Sequence, residues 1–338
     1  MQNIIPNFPD GIGFVQSRLI ITCFAPPLTS AIRAIRVCKA KGENVTRRNC
    51  GLAELALIAA VLIALIASNV RAQNLFVSKY TTGSIYEFTP QGVQTTFVSG
   101  LAGPEGLVFD ATGDLFVADA VTDDIYEFSQ NGSQTTFATD VAEPRGMAVN
   151  AGGDLFVAVT NSILEFMPGG SRSTFATGLD DPEGLAFNSA GNLFESDYGS
   201  GNIYEFTPLG AQSTFASGLD KPLEVAFNSE GDMFEADRGS GNLYEFTTLG
   251  ARSTFASGLT QPAGLVVNSA GDVFEGNFGN GDIYEFTPLG TRTTFASGLG
   301  DNSIYLAFQP VPEPSGLALL GIGAISLLVR RRRRKSAA

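Results

Sequence analysis

Residues 182–218 read PEGLAFNSAGNLFESDYGSGNIYEFTPLGAQSTFASG. Four runs rich in Leu, Phe, Ile, Tyr and Thr stand out: Gly184–Asn188, Asn192–Asp197, Asn202–Thr207 and Gln212–Ser217. Clusters of Gly, Pro, Asn and Ser separate them, the pattern of short strands joined by tight turns. The stretch recurs along the chain. Its IYEF core begins at Ile85, Ile125, Ile163 (as ILEF), Ile203, Leu243 and Ile283, at spacings of 40, 38, 40, 40 and 40 residues. Four strands in a period near 40 predict the blades of a propeller.

With the four strands of a unit called A to D, the first copy begins at Asn74 and has no strand A. Complete copies start at Pro104, Pro144, Pro182, Pro222 and Pro262. One strand is left over, Ser303–Gln309, whose LAF matches Leu185-Ala186-Phe187. An open first blade would expose a bare sheet edge. The surplus strand is therefore expected to complete it, giving an all-β, six-bladed propeller of four-stranded blades over residues 73–310, with blade 1 closed by the C-terminal strand.

Charge and composition narrow the function. Between residues 73 and 315 there are 31 acidic and 7 basic residues, a net charge of −24. Such a surface repels phosphate backbones, so nucleic acid is not an expected partner. All three cysteines (Cys23, Cys38, Cys50) precede Gln73, which excludes a disulfide framework or a Cys-based metal site in the repeats. The chain has no His, and with it no His-dependent zinc site and none of the commonest general base.

Both ends carry apolar segments. Arg47-Arg48, the apolar run Leu55–Ala67 and the ending Val70-Arg71-Ala72 fit a secretory signal at about 45–72, cut by signal peptidase between Ala72 and Gln73. Residues 1–44 stand outside that pattern as an N-terminal extension, which initiation at a non-AUG codon near Val45 would explain. At the other end, Pro312-Glu313-Pro314 precedes the apolar run Gly316–Val329 and the basic cluster Arg330–Lys335. These three parts, in this order over 311–338, resemble the PEP-CTERM sorting signal. The resemblance implies a transmembrane helix at 316–329 held in the inner membrane of a Gram-negative cell, with the Arg cluster cytoplasmic. It further implies cleavage by an exosortase and release to the cell surface or an exopolysaccharide matrix.

The repeat itself resembles NHL repeats and the gluconolactonase-type six-bladed propellers. Those show a Pro, an apolar inner strand, a G-[DN]-[LV] turn and a strand ending in Asp, here Pro104…Gly113-Asp114-Leu115-Phe116-Val117-Ala118-Asp119, then Pro182…Asp197 and Pro222…Asp237. The gluconolactonase group binds a divalent cation through a Glu at the start of an inner strand with Asn and Asp. Glu105 and Glu183 match the Glu position, and no Asn and Asp match the rest. Propellers of the lyase type use His, absent here. With Asp119, the two glutamates form a candidate Ca²⁺ ligand set, since Ca²⁺ takes six to eight oxygens. Blade 3 breaks the repeat: its B–C loop (Val159–Ser162) is two residues short, and Arg145 stands where Glu would. Arg145 is the candidate ligand-orienting residue. The IYEF glutamates occur in every blade and are expected to tie strands together. Glu195, Glu235 and Glu275 replace Val77, Val117 and Val157 and are expected at the solvated surface. No catalytic residue is assigned. The expected function is a non-catalytic binding or scaffold module, with exopolysaccharide as partner; a Ca²⁺-dependent, gluconolactonase-like lactone hydrolase is the alternative.

Overall fold

A computed structural model describes residues 73–300 and 305–310 as six four-stranded antiparallel sheets. Blade 4 comprises Pro182–Phe187, Leu193–Asp197, Asn202–Phe206 and Gln212–Ala216, close to the runs read from the sequence. The turns follow from their residues. Asn188 Oδ1 accepts hydrogen bonds from Ala190 N and Asn192 N, each at 3.0 Å, while Gly191 takes φ 83° at the corner. An Asx turn ended by a left-handed glycine closes the A–B hairpin in one step.

The ring closes as the strand count requires. Blade 1 has the order Leu306–Phe308, Leu75–Lys79, Ser84–Phe88, Gln94–Ser99. Leu75 pairs with Phe308 and Val77 with Leu306. Ser78 N donates to Tyr305 O at 3.1 Å and Gln309 N to Asn74 O at 3.0 Å, extending the seal past both ends of the strand.

The core lies between blades rather than within one sheet. Each apolar cluster joins residues of neighbouring blades; Ala158 and Ile163 of blade 3, for example, pack with Leu185, Leu193 and Phe206 of blade 4. Phenylalanines stack edge to face across the seams. Phe194 meets Phe215 of its own blade and Phe227 of the next, both at 5.0 Å, a geometry the ring quadrupole favours. Near the axis, a Cβ on Gly106, Gly146 or Gly184 would collide with the carbonyl oxygen of Arg145, Glu183 or Leu223. Glycine there lets inner strands meet backbone to backbone. The IYEF glutamates take the tying role: Glu87 Oε1 accepts from Asn74 Nδ2 at 2.6 Å and Glu205 Oε1 from Asn192 Nδ2 at 2.7 Å.

One expectation is corrected. Glu195, Glu235 and Glu275 are not at the surface; each is 0% exposed. Strand B lies second in the sheet with both faces covered, and all five of its residues are buried in every blade. Glu195 shares a face with Leu193, which packs on blade 3, so its carboxyl sits in the blade 3–4 seam. Neither carboxyl oxygen of Glu195 or Glu235 has a hydrogen-bond partner among the described residues, nor has Oε1 of Glu275. Glu275 Oε2 accepts from Asn277 Nδ2 at 3.0 Å. Burial pushes all three well above the ordinary carboxylate range, which favours the neutral acid in the seams.

Candidate functional site

The B–C and D–A loops gather on one face. Their shape is set by the residue that ends strand B. Asp119, fully buried, accepts from the backbone N–H groups of Ala102 (2.8 Å), Gly103 (3.0 Å), Val121 (3.2 Å) and Thr122 (3.2 Å). Asp197 accepts from Asp180 N and Ser200 N, and Asp237 from Asp220 N and Ser240 N. Asn277 accepts from Thr260 N at 2.8 Å. The Asp of the repeat is thus a staple between two loops, and its oxygens are spent on backbone donors.

With the loops held, the residue at the start of strand A faces the axis. Glu105, Arg145, Glu183, Leu223 and Ala263 come from five successive blades and line one cavity of about 400 Å³. Residues just after strand B form its outer wall: Tyr80, Ala120, Tyr198, Arg238 and Phe278. Tyr305, from the closing segment, reaches its floor. The bowl is two-sided. Blades 2–4 supply Glu105, Arg145, Asp181 and Glu183, and blades 5 and 6 supply Leu223, Ala263 and Phe278 with one further charge, Arg238. Arg238 lies over the Phe278 ring at 4.3 Å, and Lys221 Nζ over Tyr198 at 5.8 Å, cation–π contacts that hold the rim side chains in place.

Arg145 organises the charged wall. Its Nη1 pairs with Glu183 Oε1 and, at 2.6 Å, with Asp181 Oδ1; Nη2 stands 3.9 Å from Glu143 Oε2. Tyr305 donates its hydroxyl to Glu183 Oε2 at 3.1 Å. Glu143 and Asp181 hold left-handed φ values of 48° and 64° before Pro144 and Pro182. Lys221 and Gln261 do the same before Pro222 and Pro262, so this turn belongs to the repeat, at about 1–3 kcal/mol for each copy. Burial pushes Glu105 and Glu183 up to about 7, against the pull of Arg145. Burial likewise raises Glu224, on the channel wall below, to about 8.

The structure thus brings together Glu105, Glu183 and Arg145 and leaves Asp119 out of the cavity lining. The donor set does not fit Ca²⁺. One carboxylate, Glu183, is engaged by the Arg145 guanidinium and the Tyr305 phenol, one, Asp119, by four backbone donors, and Arg145 brings a positive charge among them. Among the described residues no group of three or more His, Cys, Asp or Glu is arranged to hold a metal ion. The sequence reading missed the apolar half of the bowl. Its signal was present: the place after strand B is aromatic in three blades, as Tyr80, Tyr198 and Phe278.

Comparison with known proteins agrees with the propeller fold. Residues 310–334 match the PEP-CTERM protein-sorting motif. The chain carries a PEP-CTERM sorting signal. No curated protein matches the sequence significantly. Among solved structures, a chain of the nidogen/laminin complex superposes with TM-score 0.65 at 18% identity, over 70% of this chain and 98% of that one. A gluconolactonase from Xanthomonas campestris gives 0.54 at 20% identity, over 59% and 77%. Virginiamycin B lyase from Staphylococcus aureus gives 0.55 at 13%, over 71% and 92%. These likenesses establish the propeller fold alone. The expected signal peptide at 45–72, the Pro312-Glu313-Pro314 motif, the helix at 316–329 and the basic tail at 330–335 lie outside the described residues. Among the described residues no helix is long and apolar enough to cross a membrane.

Proposed function

We propose that this PEP-CTERM protein is an exported, non-catalytic binding module whose axial bowl takes a polar, uncharged ligand of the saccharide class. The reading rests on one observation: a single cavity sets a hydrogen-bonding wall (Glu105, Arg145, Glu183) against a mainly apolar and aromatic one (Leu223, Ala263, Phe278, Tyr198), on which Arg238 lies over the Phe278 ring. A sugar ring offers the same two faces, hydroxyl edges and a C–H face. Arg145 offsets part of the local acidity, so the wall can donate as well as accept. In this reading the signal at 45–72 is removed between Ala72 and Gln73. The helix at 316–329 then holds the chain in the inner membrane until an exosortase cuts near Pro312-Glu313-Pro314. The mature domain, residues 73–310, is delivered to the cell surface or an exopolysaccharide matrix.

The test is titration of the purified protein with neutral oligosaccharides, followed by calorimetry. Phe278→Ala and Glu105→Gln are each expected to weaken binding about tenfold, the factor that 1.4 kcal/mol represents. Ca²⁺-dependent hydrolysis of a sugar lactone, abolished by Glu105→Ala, would instead establish the lactone hydrolase.

A further inference from the structure

The face opposite the bowl carries three leucines that nothing within the propeller covers. Leu209, Leu249 and Leu289 are 96%, 94% and 95% exposed. They occupy one position, the tip of the C–D turn, in three successive blades. The same place holds Gln91, Asn131 and Gly169 in blades 1–3. Single exposed leucines are ordinary; three at one repeat position are not scatter. Each tip is held outward by a closed turn. Gly210 N donates to Thr207 O and Gly250 N to Thr247 O, both at 2.8 Å, with Gly210 and Gly250 at φ 80° and 79°. Arg252 and Arg292 follow three residues on, exposed and lying over Tyr244 and Tyr284 at 5.1 and 5.0 Å. Rigid leucine tips beside Arg and Tyr are interfacial chemistry.

The ends of the described chain say what this face meets. C–D and A–B turns lie together, as Gln130 of a C–D turn shows by donating to Thr112 O of an A–B turn at 2.7 Å. Gln73 touches Ser269 in the blade 6 A–B turn and donates to Gln309 O at 3.4 Å. The chain therefore enters at Gln73 and leaves at Pro310 on the leucine-bearing face. Six steps separate Pro310 from the apolar run that starts at Gly316, at most about 20 Å of extended chain. A tail held in a bilayer keeps this face within that reach.

We propose that, before the tail is cut, the propeller rests on the phospholipid bilayer through Leu209, Leu249 and Leu289, with the bowl pointing away from the membrane. The inference depends on the sorting tail acting as an anchor.

The chain has no tryptophan, so a single Trp reports its own surroundings. Full-length Leu249→Trp is reconstituted into vesicles of phosphatidylcholine, zwitterionic so that a domain of net charge −24 is not repelled, brominated near the headgroup, and flotation is read before fluorescence. The expected result is co-flotation, with blue-shifted emission quenched at least twofold relative to unbrominated vesicles. Ser240→Trp, on the bowl face, is expected to float equally and stay unquenched. Adding Leu209→Gln and Leu289→Gln to Leu249→Trp is expected to reduce the quenching by about half. Flotation with Leu249→Trp quenched no more than Ser240→Trp would overturn the docking and leave the anchor standing. Failure to float would overturn the anchor and the docking together. A blue shift that grows with protein concentration in the absence of lipid would assign the tips to a second copy of the chain and overturn the proposal.

Discussion

Blades 1–3 and blades 4–6 share one backbone plan and differ at the same two places. At the centre of strand B the first half has Val77, Val117 and Val157, and the second has Glu195, Glu235 and Glu275, all 0% exposed. At the C–D tip the first half is polar or glycine, and the second is leucine. The second half therefore buries acid where apolar groups belong and exposes apolar groups where polar ones belong. Each inversion is tolerated for its own reason. A protonated carboxyl is not much larger than the valine it replaces and carries no charge into the seam. An exposed leucine destabilises nothing in the folded domain and only awaits a partner.

The comparison can be broken most severely where the halves are alike. Phe128→Ala and Phe246→Ala, one in each half and both buried, are each expected to lower stability by about 3–5 kcal/mol, read from urea unfolding midpoints. Equal losses would show that the seams share a common strength. Next in size is Arg145→Gln, which leaves Glu183 and Asp181 facing each other. About 2–3 kcal/mol is expected, less than the ~3–5 of a wholly buried pair because Arg145 and Asp181 side chains are 20% and 37% exposed.

The seam glutamates give the sharpest contrast between halves. Their folded values are raised, so the stability of the neutral form is complete below the ordinary carboxylate range and is lost as pH rises through the raised value. Glu235→Val is expected to stabilise by about 1–3 kcal/mol at pH 4, where the neutral carboxyl is unpaired, and by more at pH 8. Val117→Glu is expected to transplant the pH dependence into the first half. Thermal unfolding across pH 4–9 reads both, and a flat profile for the native chain would sink the neutral-acid account. The smallest effect is expected at the loop staples. Blade 6 already uses Asn277 where blade 5 uses Asp237, so Asp237→Asn is expected to cost under about 1 kcal/mol, the gap between charged and neutral hydrogen bonds.

The fold was legible because its signals are local and repeated. Asn188 and Gly191 write the turn, and the missing strand before Asn74 and the surplus strand near Leu306 write the closure. The site was legible only in part. Glu105, Glu183 and Arg145 stood out because they sit at one repeat position, where blade 3 departs from its neighbours. Asp119 misled because an acid ending a strand beside the axis looks the same in sequence whether it faces the channel or the loop backbone. Glu195, Glu235 and Glu275 misled more deeply. Solvation is the default for a glutamate, and only the burial of strand B on both faces, a property of the ring rather than of any blade, overrides it.

The closing strand, Leu306–Phe308, ends two residues before the sorting motif begins at residue 310. Gln73 and Gln309, which it brings into contact, are 236 positions apart. Contacts that distant form last and slowly. A pull on the chain beyond Pro310 therefore acts first on three residues of β-pairing, so the joint that closes the ring is also the one that tension would open first.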